Sequence, residues 1–318
     1  MSRVLVTGGA GYIGSATVAL LLESGYEVTV LDDCSTGHAD SVPEAATFFQ
    51  GSLLDGNVVK MALQGCESVI HFASKSLVGE SVLKPDLYRT NNVIGSQILF
   101  DEMDGAGVSR IVFSSSAATY GDARVQPILE TQKAEPTNPY GETKLAVDNL
   151  LTDLAAQESF AAISLRYFNV AGAITRDGKW LAERHSPETH LIPNLLKATP
   201  SNPLKIFGTD WDTKDGTCVR DYVHVKDLAL AHMQALAALV PGVHEIINLG
   251  SGGGYSVREV IDTASAVVGY TIPTEETQRR DGDPATLIAS ITKAKELLGW
   301  EPTLNLESMI SDTFESIQ

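Results

Sequence analysis

Val4-Leu5-Val6-Thr7-Gly8-Gly9-Ala10-Gly11-Tyr12-Ile13-Gly14 decides the fold. An apolar run of strand type enters a glycine-rich turn, and an apolar-periodic helix follows through Val18, Leu21 and Leu22. Glycine allows the tight turn and lets the backbone approach a pyrophosphate, while the helix N-terminus offers its amide dipoles. The spacing Gly8-x-x-Gly11-x-x-Gly14 is one residue longer in its first gap than the usual dinucleotide fingerprint. A second strand-like run, 27–31, ends at Asp32 and Asp33, about 20 residues beyond Gly14. A carboxylate there binds the ribose hydroxyls of NAD and repels the extra phosphate of NADP. The plainer alternative is two solvated acids in a turn; together with the glycine turn, the reading is an NAD site.

Outward from this unit, strand-like runs recur at 3–7, 47–49, 68–71, 110–113 and 162–166, with amphipathic helical runs between several of them, notably 86–103 and 141–157. This alternation predicts parallel βαβ units in a Rossmann-type, doubly wound α/β sheet. After Asn169 the pattern changes to short helices, brief strands and loops punctuated by Pro187, Pro193, Pro200, Pro203 and Gly250 to Gly254. Residues 1–170 are therefore expected to form the NAD-binding domain and residues 171–318 mainly a smaller α/β substrate-binding domain, with segments around 223–250 able to return to the first. Ligands of such folds bind beyond the carboxyl ends of the strands.

Tyr140 and Lys144 lie four residues apart in Asn138-Pro139-Tyr140-Gly141-Glu142-Thr143-Lys144, one helical turn from each other. A free phenol has a pKa of about 10, and a neighbouring ammonium favours the phenolate, which can serve as a general base. The spacing alone also suits a surface pair. It gains force from Ser114, Ser115 and Ser116, which follow the apolar run at 110–113.

With 23 Lys and Arg against 40 Asp and Glu, the formal charge is −17. That balance argues against nucleic-acid binding, and an anionic ligand needs a local cationic pocket. Three scattered cysteines, Cys34, Cys66 and Cys218, suit neither a disulfide framework nor a metal cluster, so no metal is expected. No apolar run approaches a membrane span, and Met1-Ser2-Arg3 leads directly into the first strand, so a cytoplasmic chain is expected.

Gly8-x-x-Gly11-x-x-Gly14, Leu31-Asp32-Asp33, His71-Phe72-Ala73, Asn91-Asn92-Val93, Ser114 to Ser116, Tyr140-x-x-x-Lys144 and Arg166-Tyr167-Phe168-Asn169 occur in order. In this combination the chain resembles the extended short-chain dehydrogenase/reductases. Val78-Gly79-Glu80-Ser81, the run from Asp215 to Val225 and Asn248-Leu249-Gly250 are similar, within them, to the UDP-glucose (UDP-galactose) 4-epimerases. The resemblance extends to about residue 300. It implies inversion at C4′ of the sugar of UDP-galactose and UDP-glucose through a transient 4-keto sugar. Tyr140 as phenolate would take the proton of the 4′-hydroxyl, Ser116 would hydrogen-bond that hydroxyl, and Lys144 would hold the phenol ionised and bind the nicotinamide ribose. NAD would stay bound, because net redox change is zero.

The resemblance further implies an NAD site built on Gly8, Gly11, Tyr12, Ile13 and Gly14. Asp32, Asp33, Cys34, Ser35, Thr36 and Gly37 continue it, as do Ser52 and Leu53. Its other wall would come from Phe72, Ala73, Ser74, Lys75, Asn92, Ser114, Tyr167 and Phe168, together with Tyr140 and Lys144. For the substrate it implies Arg220 and Arg280 on the diphosphate, where a guanidinium suits bidentate contacts. Asn169 would bind a diphosphate oxygen, Asp283 the uridine ribose, and Phe207 would flank the uracil. Ser76, Ser116, Tyr140, His190, Leu191 and Leu287 complete that set. Each arginine could otherwise make a surface salt bridge, and His190 a backbone contact.

Several positions depart from the family pattern. Ser52 stands where an aspartate often receives the adenine amine, and Lys75 sits one residue early, leaving its role against that of Ser76 open. Ala118 stands where a threonine is common, and His190 replaces an asparagine. Leu287 is intermediate in bulk at a position that meets the sugar 2′-substituent, so activity is expected to be strong on UDP-galactose and UDP-glucose and weak on the N-acetyl sugars. A UDP-N-acetylhexosamine 4-epimerase remains the alternative, with a 4,6-dehydratase or decarboxylase behind it; those use an extra acid just after the serines, where this chain has Ala117 and Ala118. A non-catalytic NAD-binding scaffold would lose the serine, tyrosine and lysine that are all present. Helical runs 86–103 and 141–157 carry apolar residues on more than one face, which fits the homodimer that the family generally forms.

Overall fold

Val4 and Val6 face one side of the central sheet and Leu5 the other, so the first strand is apolar throughout because both of its faces are covered. The computed structural model describes residues 2–123, 125–280 and 283–318. In it, seven strands form one sheet: β1 (Arg3–Thr7), β2 (Glu27–Asp32), β3 (Thr47–Gln50), β4 (Ser68–His71), β5 (Arg110–Ser116), β6 (Ala161–Tyr167) and β7 (His244–Leu249). All pair in parallel, in the order β7-β6-β5-β4-β1-β2-β3. The order reverses direction between β1 and β4, the crevice where such sheets bind ligands. This is the doubly wound α/β fold expected from the sequence.

Helices α1 (Tyr12–Glu23) and α4 (Val225–Ala238) bury Val18, Leu21, Leu228 and Leu236 against Val28, Val30, Ile70 and Leu165 on one face. On the other, α2 (Gly95–Ala106) and α3 (Pro139–Ala155) pack Leu99, Met103, Val147 and Leu151 against Leu31, Val69, Ile111 and Phe113. The helical run read at 86–103 is not uniform: residues Arg89–Ile94 form a π-helical segment ahead of α2. β5 also runs further than its apolar stretch, because Ser114, Ser115 and Ser116 pair with Leu165, Arg166 and Tyr167.

A third cluster joins Ile192, Leu195, Ile206, Tyr222 and Val260 to Met309 and Ile310, with helices α5 (Val257–Val268) and α6 (Leu306–Ser316) packed together. Its strands are short: Leu204–Phe207 pairs with Thr274–Thr277, and Val219–Arg220 lies between Tyr255–Ser256 and Thr286–Leu287. Buried carboxylates latch these pieces. Asp221 accepts bonds from Ser251 N, Ser251 Oγ, Gly252 N and Ala289 N at 2.5–3.2 Å. Asp215 accepts from Thr217 N, Thr217 Oγ1 and Ser256 Oγ. The chain then returns to the sheet: β7 adds to β6, α4 covers the first face, and the buried Trp300 indole donates to Asp227 O at 2.8 Å.

Candidate active site

The carboxyl ends of β1, β2, β4, β5 and β6 converge on one cavity of about 360 Å³. Gly8, directly after β1, has φ +72°, and a Cβ there would lie 2.5 Å from Ala73 N. A Cβ on Gly14 would lie 2.1 Å from Gly8 O, so the turn and the start of α1 interlock in a way only glycine permits. The result is a cradle of bare backbone at a helix N-terminus, the chemistry a pyrophosphate requires. Gly11, Tyr12, Ile13, Asp32, Asp33, Ser35, Thr36, Gly37, Ser52 and Leu53 line the same cavity, as do Phe72, Ala73, Ser74, Lys75, Ser76, Ser114, Tyr167 and Phe168. Backbone amides, the Asp33 carboxylate and apolar side chains thus line one cavity.

The two aspartates differ. Asp32 is buried, and its oxygens accept Ala10 N at 3.0 Å and Cys34 N at 2.8 Å, shaping the turn. Burial raises its pKa, partly offset by those two donors. Asp33 is exposed and accepts Ser35 N at 2.8 Å. Cys34 adopts φ 56° and lies outside the cavity lining. Asn92 also lies behind the wall. Its side chain accepts from Lys75 N at 2.8 Å and donates to Lys75 O and Thr143 Oγ1 at 3.0 Å, so it clamps the cavity-lining loop to α3.

At the far end, Ser116, Tyr140 and Lys144 line the cavity together. Asn138 caps α3, accepting from Gly141 N at 2.9 Å, and Pro139 occupies the first helical turn. These two residues fix where Tyr140 enters. Lys144 is 2 % exposed, its ammonium donates to Ser114 O at 2.7 Å, and it lies 5.8 Å from the centre of the Tyr140 ring. Burial pushes its pKa down to about 7, with the charge of Asp148 opposing the shift. Asp148 is held by Arg166, at 2.7 Å, and by Ser115, at 3.0 Å. Burial raises the pKa of Tyr140, and its contact with the Ser116 hydroxyl opposes that.

A second cavity, of about 430 Å³, adjoins the first. Leu191, Phe207, Arg220, Arg280 and Asp283 line it, and Asn169, Val170 and His190 line both cavities. The Arg280 guanidinium stacks 3.7 Å over the Phe207 ring, and Arg220 lies 3.7 Å from Asp283. Leu287 lines neither cavity; it pairs with Arg220 along a short strand, and its carbonyl accepts from Asp221 N at 2.9 Å.

Sequence reasoning missed Glu183 and His185, which line the first cavity beside His190. A signal existed: Glu183-Arg184-His185 and Glu188-Thr189-His190 repeat the pattern Glu-x-His five residues apart. The carboxylate of Glu183 raises the pKa of His185 against the effect of burial. Burial lowers that of His190, but the bond to Glu188 and the charges of Glu183 and Glu188 outweigh it, for a net rise.

A glycine cradle at the reversal of a parallel sheet, with a buried tyrosine, lysine and serine at its far end, defines a nucleotide-dependent enzyme of the short-chain dehydrogenase/reductase class. The model of the NAD dependent epimerase/dehydratase family matches residues 4–250, and the chain belongs to that family. It is 49% identical to a UDP-glucose 4-epimerase of Corynebacterium glutamicum, over 98% of this chain and 94% of that one. It is 46% identical to one from Streptomyces lividans, over 98% and 95%. A crystal structure of the Brucella ovis UDP-glucose 4-epimerase in complex with NAD is 40% identical, with a TM-score of 0.93 over 99% of this chain and 98% of that one.

Proposed function

We propose that the chain is an NAD-dependent isomerase that interconverts UDP-galactose and UDP-glucose by inverting C4′ of the sugar. The observation that carries this reading is the shared wall. Asn169, Val170 and His190 belong both to the cavity of the glycine cradle and to the cavity of Arg220 and Arg280, so a cofactor and a diphosphate-bearing ligand can meet there. NAD held between the Gly8–Gly14 turn, Asp33 and the Phe72–Ser76 loop would supply reversible hydride acceptance at C4′.

The chain's own residues do the rest. Tyr140 takes the proton of the 4′-hydroxyl and later returns it, at the same phenol oxygen. Ser116 hydrogen-bonds the sugar oxygen in its hydroxyl and keto states. Lys144, buried and anchored on Ser114 O, contributes charge at the floor of the site. Arg220 and Arg280 neutralise the diphosphate, and Phe207 offers a ring face for the base. Ala117 and Ala118 offer no proton for an elimination at C5–C6, which disfavours the dehydratase and decarboxylase chemistries.

The oligomer proposed is a homodimer through α2 and α3, where Ile98, Leu145, Leu150 and Leu154 stay only partly buried; a monomeric mass in light scattering would refute it. Among the described residues no helix is long and apolar enough to cross a membrane, and a cytoplasmic location is proposed.

The test is epimerisation of UDP-galactose by purified protein with no NAD added, beside Tyr140→Phe. Turnover by the wild type, and a loss of about 10²–10⁴-fold in kcat in the variant, are expected. An unaffected variant would remove the phenol from the mechanism. A 6-deoxy or decarboxylated product would replace the epimerase reading.

A further inference from the structure

Two carboxylates sit in an unfavourable place for a site that takes anionic ligands. The Glu183 and Glu188 side chains are only 10% and 7% exposed, in a chain of net charge −17, beside His190 on the wall common to both cavities, and Glu183 itself lines the first. Burying a carboxylate is costly unless a cation or several donors compensate it. Glu188 has such donors: its Oε1 accepts Thr189 N and His190 N at 2.8 Å and faces His190 Nδ1 at 2.7 Å. Glu183 is less well served. Its Oε1 takes Arg184 N and His185 N, and its Oε2 lies 3.8 Å from His190 Nδ1.

The contact between Glu183 and His185 is informative. His185 Nδ1 lies 2.6 Å from Glu183 Oε1, yet that buried nitrogen has no hydrogen bond of acceptable geometry. The two atoms are close without being aimed at each other. Donor atoms of Glu183, His185 and His190 all lie within 4.8 Å of one another. A tetrahedral zinc ion bound at about 2.0–2.1 Å separates its ligands by about 3.3 Å, so small side-chain rotations suffice.

We infer that Glu183, His185 and His190 form a binding site for one divalent cation of the zinc class, with a fourth position open toward the wall shared by the two cavities. Two imidazoles and one carboxylate are borderline donors, which favour zinc over magnesium or calcium. Three protein ligands with an open fourth position can accept water or a ligand oxygen. Binding displaces any proton held between each imidazole and its carboxylate, so affinity falls on acidification.

The experiment uses the full chain, freed of metal with EDTA and dialysed, then titrated with zinc chloride at pH 7.5 and at pH 5.5. Metal per chain is counted by elemental analysis, and cobalt(II) absorption reports the geometry. About one ion per chain is expected at pH 7.5, with affinity at least about tenfold weaker in His185→Ala and in Glu183→Gln. His244→Ala, on the edge strand β7, should bind as the wild type does. Should His185→Ala fail to fold, Glu183→Gln, which keeps the shape, still decides the matter. Substoichiometric zinc in the wild type, or undiminished binding in the folded variants, would overturn the inference.

Discussion

Around Gly8 and Gly14 the backbone fills the space a side chain would need, and the surrounding contacts are apolar side chains on both faces of a long parallel sheet. Around Arg220 the strands are only two to four residues long, and Asp215 and Asp221 hold them by accepting hydrogen bonds. One region is held by shape, the other by polar latches. The difference teaches that the two halves of the site should fail in different ways, the first to added bulk and the second to a lost acceptor.

The largest effect should come from Asp221→Ala. It leaves four buried or half-buried donors without their carboxylate, at a cost on the order of 3–5 kcal/mol in urea unfolding. The KM for UDP-galactose should rise while bound NAD is retained; loss of both in equal measure would show that the two regions fail as one. Gly14→Ala should do the reverse. Its new methyl meets the Gly8 carbonyl, an overpacking of about 1–3 kcal/mol, and NAD recovered from the purified protein should fall before UDP binding does.

The third test concerns charge within the apolar region. Burial holds the pKa of Lys144 in the folded chain down to about 7, below the ordinary lysine value of 10.5. The unfolded chain therefore holds more protons between those values, and stability should rise with pH across that window. The slope from this group is at most about 1.4 kcal/mol per pH unit. Urea unfolding from pH 7 to pH 9 should show this rise in the wild type and not in Lys144→Met; equal slopes would mean that the ammonium is not desolvated. The smallest effect should come from Ser256→Ala, which removes the capping box of α5 and a bond to Asp215. About 1 kcal/mol is expected by urea unfolding. A much larger loss would mean that the Asp215 latch depends on this one hydroxyl.

The same contrast explains what could be read in the sequence. β1, β2 and β4 to β6 announce themselves because strands buried on both faces are continuously apolar and glycine marks the turn between β1 and α1. The serines that end β5 break that pattern, and only pairing with β6 carries the strand to Ser116. The π-helical turn at Arg89–Ile94 leaves no mark in an apolar pattern, yet there Asn92 faces Lys75 and Thr143 instead of the cavity. In the second region, resemblance to a family placed Phe207, Arg220, Arg280 and Asp283, which the structure gathers in one cavity. Leu287 stands apart because its strand is set by hydrogen bonds to distant residues, which neither periodicity nor motif encodes. Glu183 and His185 escaped notice because the family's site pattern names neither of them.

The placement of β7 has a consequence for how the molecule is made. β6 ends at Tyr167, but the strand that covers its free edge begins at His244. A ribosome emits the whole Arg220 segment before that edge can be closed. During that interval Ala161–Tyr167 offers unpaired amides and carbonyls to any passing strand, including another nascent copy. Synthesis speed through residues 168–243 and protection by a chaperone should therefore govern the yield of folded protein more than they would for a sheet completed in chain order.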